Sequence, residues 1–395
     1  MKKALLTFAA ISALVSATAA RAEDVKIGIV LGFTGPQESI MPGVAQAAET
    51  ALKEVNDSGK FLDGKKLVPV RGDSTCVDAA AATATAERLV RSENVVALMT
   101  DCSPVSTAIL NGVSIPNGVP QLSPSASSPA LSTIDDHGLF FRTSASDARA
   151  GQVLADVIKS KGYGSVAITY TNNDYGKGYA DALSAAFKEL GGKVTVSVPH
   201  EDGKADYSAE VATLSAAGGD ALIVLGLADQ GGLGVIKASV EQGAFKVFGL
   251  GDGMYSDAVL KAVGKDMTGS FGIYPSAEGE GNDAFAKVAA AAGFEPEKAY
   301  RGQSYDAAAL MVLAMAKGGK ADRATIAANM LDVANAPGDK ILPGELGKAL
   351  DILKKGGDID YVGATNVELI GPGEAAGSYL EYEVTDSKFK PVGTR

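Results

Sequence analysis

Residues 26–56 read KIGIVLGFTGPQESIMPGVAQAAETALKEVN, and two periodicities meet in them. Residues 26–31 form a short apolar run rich in β-branched side chains, too brief for a helix, which reads as a buried strand. From 43 to 56 the period changes, with Val44, Ala48, Leu52 and Val55 on one helical face. Strand feeding helix is the start of a βαβ unit, and the pattern recurs downstream. Residues 67–71 are an expected strand, 77–91 a helix and 95–100 a strand. Residues 104–111 are a helix with Pro104 in its first turn, where the missing N–H costs nothing, and 120–123 are a short strand. A second series follows Phe140, with helices at 147–161, 176–190, 207–217 and 230–242 and strands at 165–170, 193–198, 221–225 and 246–250. The expected fold class is α/β, with two doubly wound lobes. Helices at 282–292, 300–317, 322–333 and 344–355 lack strands of their own, so they must return to a sheet already built before a strand-like tail at 378–384.

The chain starts with a pattern that is not part of this fold. Lys2 and Lys3 precede a stretch of apolar and small residues running to Ala20, and Ala20-Arg21-Ala22 suits a signal peptidase. The apolar core is shorter than the roughly 20 residues of a membrane-spanning helix. Residues 1–22 are therefore expected to be a signal peptide cleaved after Ala22, with no Cys following to carry a lipid, and the mature chain to work in the periplasm. The formal net charge is −11, and loss of Lys2, Lys3 and Arg21 makes it more negative still. A surface so acidic argues against nucleic acid or anionic lipid as partner.

Cys76 and Cys102 are the two cysteines. In an exported chain an even pair reads as a disulfide, which would stabilise the fold by about 3 kcal/mol in the chain-entropy model. With His137 and His200 scattered in sequence, no spacing resembles a zinc site.

An open parallel sheet binds ligands beyond the carboxyl ends of its strands. After the third strand stands Asp101-Cys102-Ser103-Pro104, and after the fourth Leu122-Ser123-Pro124-Ser125-Ala126-Ser127-Ser128-Pro129. Hydroxyls, backbone N–H groups and a helix start suit a carboxylate there, although Ser103 and Ser127 would look the same as plain helix caps. In the second series Tyr175 opens a helix, where it could close over a ligand or simply pack. Asp252 lies between Gly251 and Gly253 at a strand end, free to project into a cleft or to serve as a turn residue. Enzyme signatures are missing: there is no G-x-S-x-G elbow and no P-loop, and the dinucleotide-like run 249–254 has Met254 where its last Gly belongs.

In this order and spacing the features resemble the leucine/isoleucine/valine-type periplasmic binding proteins, the substrate-capturing components of ABC transporters for branched-chain amino acids. The resemblance covers nearly all of the mature chain. It rests on Ile27-Gly28, Phe33-Thr34-Gly35-Pro36, the Cys76 and Cys102 pair, Ser103, the 122–129 loop, Asp174-Tyr175-Gly176-Lys177-Gly178 and the run from Gly249 to Gly253. It implies a type I fold of two lobes joined by three hinge crossings, with the ligand between them. The implied first lobe is 24–142 plus 276–364, and the second 143–275 plus 365–395. It also implies that Ser103, Ser125 (by its main chain) and Ser127 hold the ligand's α-carboxylate. Tyr175 would supply a lid aromatic, and Asp252 would pair with the ammonium where the family commonly has Glu. The family's aromatic lid position falls on Ala228, with Asp229 beside it, and its wall residue on Ile40. The resemblance implies no catalysis, no cofactor and no metal. The implied partners are a small amino-acid-like ligand and the ABC permease subunits of the inner membrane, and the implied state is a monomer. Rival expectations are a relative tuned to urea, amides, short ω-amino acids or aromatic carboxylates, a sensory ligand-binding domain, and a periplasmic hydrolase using Asp252 and a Ser, for which no base–nucleophile motif is present.

Overall fold

The structure, a computed structural model, describes residues 24–395; the expected signal peptide and its cleavage point after Ala22 lie outside the described residues. The first run is β1 (Val25–Leu31), α1 (Met41–Ser58), β2 (Leu67–Asp73), α2 (Ala79–Arg91), β3 (Ala97–Thr100) and α3 (Ser103–Ile109). A π turn at Leu110–Ser114 carries α3 into α4 (Ile115–Asn117), followed by β4 (Gln121–Ser123) and β5 (Phe140–Arg142). The second run is α5 (Asp147–Ser160), β6 (Ser165–Thr171), α6 (Asp174–Glu189), β7 (Lys193–His200), α7 (Ser208–Ala217) and β8 (Ala221–Leu225). It ends with α8 (Gly231–Gln242), β9 (Phe248–Leu250), α9 (Asp257–Val263) and β10 (Phe271–Pro275).

The chain then returns with α10 (Glu280–Ala292), α11 (Arg301–Gly318), α12 (Arg323–Ala334), β11 (Asp339–Ile341), α13 (Leu346–Lys354) and β12 (Ile359–Tyr361). It closes with β13 (Leu369–Ile370), β14 (Glu374–Ala375), β15 (Tyr379–Thr385) and β16 (Lys388–Thr394).

Two seven-stranded sheets result, in the orders β13-β14-β5-β4-β3-β1-β2 and β16-β15-β10-β9-β8-β6-β7, with β11 and β12 as a small separate pair. The five consecutive strands at the heart of each sheet are parallel, and the late strands pair antiparallel at one edge or join there. Internal strands such as β8 are buried at every residue, as a sheet covered on both faces requires. Helix α1 buries Val44, Ala48, Leu52 and Val55 and ends at Gly59, whose φ of 67° suits a residue without Cβ. Helix α11 is buried from Gln303 to Met315, so it has no amphipathic stripe: it fills the space beside α1, α12 and α13 in the first lobe. The returning helices thus pack on the first sheet.

Sheet membership changes after Arg142, after Pro275 and again after Ala375. The last change falls later than the 364/365 boundary expected from sequence. Strands β13 and β14 hydrogen-bond in the first sheet, with Glu374 beside Arg142, so residues 365–375 belong to the first lobe. The expected helix at 104–111 is also longer, running through its π turn to Asn117.

Candidate functional site

In both sheets the parallel strands run in the order second, first, third, fourth, fifth, so each reverses direction of growth between its first and third strands. Loops leaving the carboxyl ends on either side of that point flank a crevice. Here these are the segments after β1 and β3 in the first lobe and after β6 and β8 in the second. They meet around a cavity of about 20 Å³. The first lobe supplies Gln37, Met41, the Cys76–Cys102 disulfide, Ser103, Pro104, Ser125 and Tyr300; the second supplies Asn173, Tyr175, Leu227 and Gly253. A room this small holds about one water, so a larger guest needs the lobes or side chains to move apart. A wider groove of about 750 Å³ also separates the lobes, but it is lined by exposed charged residues such as Glu297 and Lys261. The buried polar groups converge on the smaller cavity.

The first-lobe half is built from hydroxyls, of which Ser103 is fixed by backbone. Ser103 opens α3, and its Oγ accepts the N–H groups of Ser127 at 3.1 Å and Ser128 at 3.0 Å. Both lone pairs of the hydroxyl are then occupied, so its O–H is left to donate. The Ser125 hydroxyl is buried at the cavity wall without a partner. Behind them Asp101 ties three loops together, accepting from Gly32 N at 2.6 Å and Ser74 Oγ at 2.8 Å. Burial pushes its carboxyl up to about 6, against the pull of those bonds. The disulfide joins Cys76 to Cys102, Cα atoms 5.2 Å apart, and so links the loops after β2 and β3.

The second-lobe half is built around Asp252, which opens a short 3₁₀ turn after β9 and is 3% exposed. Tyr175 donates to its Oδ1 at 2.9 Å, and Tyr300, reaching over from the first lobe, donates to its Oδ2 at 2.9 Å. Gly253 needs to be glycine: a Cβ there would stand 2.7 Å from the Gly226 carbonyl. Tyr300 precedes α11 with φ 57°, a left-handed conformation that is costly for a bulky residue. A second acid, Asp147, accepts from Ser127 Oγ at 2.9 Å and is also buried. Burial raises both carboxyls, and the charge of Asp252 raises Asp147 further. Arg142, whose charge acts on Asp147 in the opposite sense, is itself bound to Glu374.

Direct bonds tie the lobes across the mouth. Asp229 Oδ2 accepts from Ser39 N at 2.9 Å, and Asp229 N donates to Pro36 O at 3.2 Å. Gln37 Nε2 donates to Gly253 O at 3.2 Å, and the hydroxyls of Ser39 and Ser256 lie 3.3 Å apart. The lobes stand closed on one another.

The family profile described as "Periplasmic binding protein" matches residues 24–345. The chain belongs to this family. Among its relatives, the Leu/Ile/Val-binding protein homolog 1 of Brucella melitensis is 29% identical over 84% of this chain and 88% of its own. A chemotactic signal transduction system substrate-binding protein, BasB, of Halobacterium salinarum is 26% identical over 92% of this chain and 88% of its own. Of solved structures, the leucine binding protein LivK of Thermotoga maritima superposes with a TM-score of 0.79 at 22% identity, covering 94% of this chain and 98% of that one. A solute binding protein of an ABC transporter from R. palustris, in complex with 4-hydroxybenzoate, gives 0.77 at 20% identity, covering 94% and 97%. These likenesses uphold the resemblance to the leucine/isoleucine/valine type and the two-lobed type I fold. The family is one of binding proteins rather than enzymes.

Within this periplasmic binding protein, Ser103, Ser125 and Tyr175 come together at the cavity. Asp252 stands directly behind Tyr175, and Ser127 directly behind Ser103 with its hydroxyl turned to Asp147. Two expected residues fall elsewhere. Ile40 lines the wider groove, because the turn that bonds Ile40 N to Gln37 O puts Gln37 and Met41, not Ile40, at the cavity. Ala228 is buried in the hydrophobic core, and its neighbour Leu227 takes the wall position. Tyr300, Asp147 and Gln37 were not singled out by sequence. Tyr300 and Asp147 lie at helix starts, where each looks like an ordinary first-turn residue, and Gln37 looks like a polar turn residue. Among the described residues no helix is long and apolar enough to cross a membrane, and no cluster of three or more His, Cys, Asp or Glu could hold a metal ion.

Proposed function

We propose that this protein is the substrate-binding component of an ABC importer and captures an α-amino acid between its closing lobes. It acts as a monomer in the periplasm after loss of residues 1–22, and hands its ligand to permease subunits in the inner membrane. The ligand's carboxylate takes the free O–H of Ser103 and the main chain at Ser125. Ser127, whose N–H goes to Ser103 Oγ and whose O–H goes to Asp147, braces Ser103 from behind instead of meeting the ligand as the resemblance implies. Its ammonium takes Asp252, with Asp147 adding negative potential. One observation carries this reading: the buried carboxylate of Asp252, whose charge raises the buried Asp147, belongs to the lobe facing the hydroxyls of Ser103 and Ser125. A buried carboxylate is unfavourable without a cationic partner, and a zwitterion supplies a cation to one half of the site and an anion to the other. Closure around it completes both pairs, so occupancy and the closed shape are coupled.

The aromatic-acid reading has its own support in the tyrosines at the cavity, Tyr175 and Tyr300, and in the benzoate-type ligands held by relatives of the same fold. A lone carboxylate would meet Asp252 and Asp147 with nothing to neutralise them, which favours the zwitterion. The test is a thermal-shift panel on the ligand-stripped mature protein with the common amino acids, 4-aminobutyrate, urea, short amides and benzoates. A ligand at a hundred times its dissociation constant adds about 2.7 kcal/mol. Stabilisation by α-amino acids is the expected result; stabilisation by benzoates or urea alone would overturn the reading.

A further inference from the structure

Contacts to a ligand's carboxylate and ammonium leave one buried polar side chain at the cavity without a role. Gln37, in the loop after β1, is 2% exposed and lines the cavity from the first lobe. Its Nε2 donates to Gly253 O, while its Oε1 has no hydrogen-bond partner. Turning the amide round does not mend this, because Oε1 would then face the Gly253 carbonyl, acceptor against acceptor. A buried acceptor left without a donor is unfavourable, and the cavity is the side from which a donor can come.

The surroundings narrow what that donor can be. Met41, Pro104 and Leu227 give the rest of this wall an apolar character, which disfavours a charged group. Asn173, the other amide at the cavity, is occupied: its Oδ1 accepts from Gly176 N at 3.1 Å as the cap of α6, and its Nδ2 points to Thr171 Oγ1. Gln37 Oε1 is thus an acceptor in apolar surroundings, on a residue not needed for the ligand's α-groups.

We propose that Gln37 sets the side-chain specificity of this site, selecting an α-amino acid whose side chain ends in a neutral hydroxyl or carboxamide over one with a branched aliphatic side chain. The proposal rests on the amino-acid reading above. A site built to receive a donor discriminates strongly against an isostere that lacks it, whereas an apolar wall discriminates weakly.

Calorimetric titration of the ligand-stripped protein with two near-isosteric pairs, threonine against valine and asparagine against leucine, tests it in wild type and in Gln37→Leu. The expected result is a preference of about tenfold or more for the donor-bearing member in wild type, abolished or reversed in Gln37→Leu. The ratio within a pair is the readout because loss of the bond to Gly253 weakens every ligand alike. Gln37→Met serves as the second variant if Gln37→Leu melts early, and the wild-type ratio stands on its own. Preference for valine and leucine in wild type, or a ratio unchanged in the variants, would overturn the role of Gln37 while leaving amino-acid capture intact. Binding of benzoate or urea with no amino acid bound would instead refute the amino-acid reading, and this proposal with it.

Discussion

The first lobe meets the cleft with hydroxyls held by backbone amides; the second meets it with a carboxylate held between two phenols. Strand order is the same on both sides, so the contrast belongs to the loops that leave the strands. The first-lobe half is braced entirely from within its own lobe. Ser103 is fixed by two N–H groups, Asp101 binds the loops around it, and the Cys76–Cys102 disulfide links two of them covalently. The second-lobe half is completed across the gap, since Tyr300 reaches Asp252 from the other lobe. One half is therefore complete within its own lobe, whereas the other has its full set of contacts only with the lobes together.

Removing the acid breaks the comparison most severely. Asp252→Ala is expected to weaken an α-amino ligand by at least a hundredfold in calorimetric titration, as loss of one partner of a buried charge pair costs about 3–5 kcal/mol. An unchanged melting curve would show that the fold survives, and unchanged affinity would remove Asp252 from the site. Loosening the braced half comes next. Replacing Cys76 and Cys102 by serine should lower unfolding stability by about 3 kcal/mol, read by chemical denaturation; an unaltered midpoint would mean the loops are held without the bond.

Ser103→Ala sharpens the contrast, because it removes a donor to the carboxylate but nothing from the ammonium end. Affinity for an amino acid should fall by about 2 kcal/mol, and affinity for the matching amino amide should change much less. Equal losses would place Ser103 outside the carboxylate contact.

The smallest effect concerns acid response. His200, at the end of β7, bonds Thr169 Oγ1 through Nδ1 at 2.9 Å and is 1% exposed, and burial pushes it down to about 4 from 6.5. The unfolded chain takes this proton as the pH falls below 6.5 and the folded one only near 4, so stability is lost on acidification between those values. Asp101 and Asp306 in the first lobe are pushed up to about 6 by burial, and they act oppositely, adding stability as the pH falls from there towards 3.8. Chemical denaturation at pH 7 and about pH 4.5 should show His200→Gln sparing roughly 1–2 kcal/mol of the acid loss. Parallel curves for variant and wild type would assign the loss elsewhere.

Long apolar runs were legible because burial on both faces leaves no alternation to misread; the strand at 221–225 matches its expected limits. The short hinge-side strands were not. Leu369–Ile370 and Glu374–Ala375 are each two residues long, and β16 is polar with Pro391 inside it, so only their partners make them strands. Ser103, Ser125, Tyr175 and Asp252 lie at or directly behind the inter-lobe cavity, as the rule that loops at the carboxyl ends of parallel strands flank the crevice leads one to expect. Tyr300 was not, for it comes from a helix start far along the chain and acquires its role only when the lobes meet. Ile40 and Ala228 each lie beside a residue that faces the cavity, a consequence of turn geometry that no periodicity reveals in loops.

The most direct test of the zwitterion account is a calorimetric titration of the ligand-stripped wild-type protein with its best-binding α-amino acid and with the same acid lacking the amino group. Tight binding of the first and a loss of at least a hundredfold for the second are expected, since Asp252 and Asp147 would then face no cation. Equal affinity for the two acids would contradict the zwitterion account.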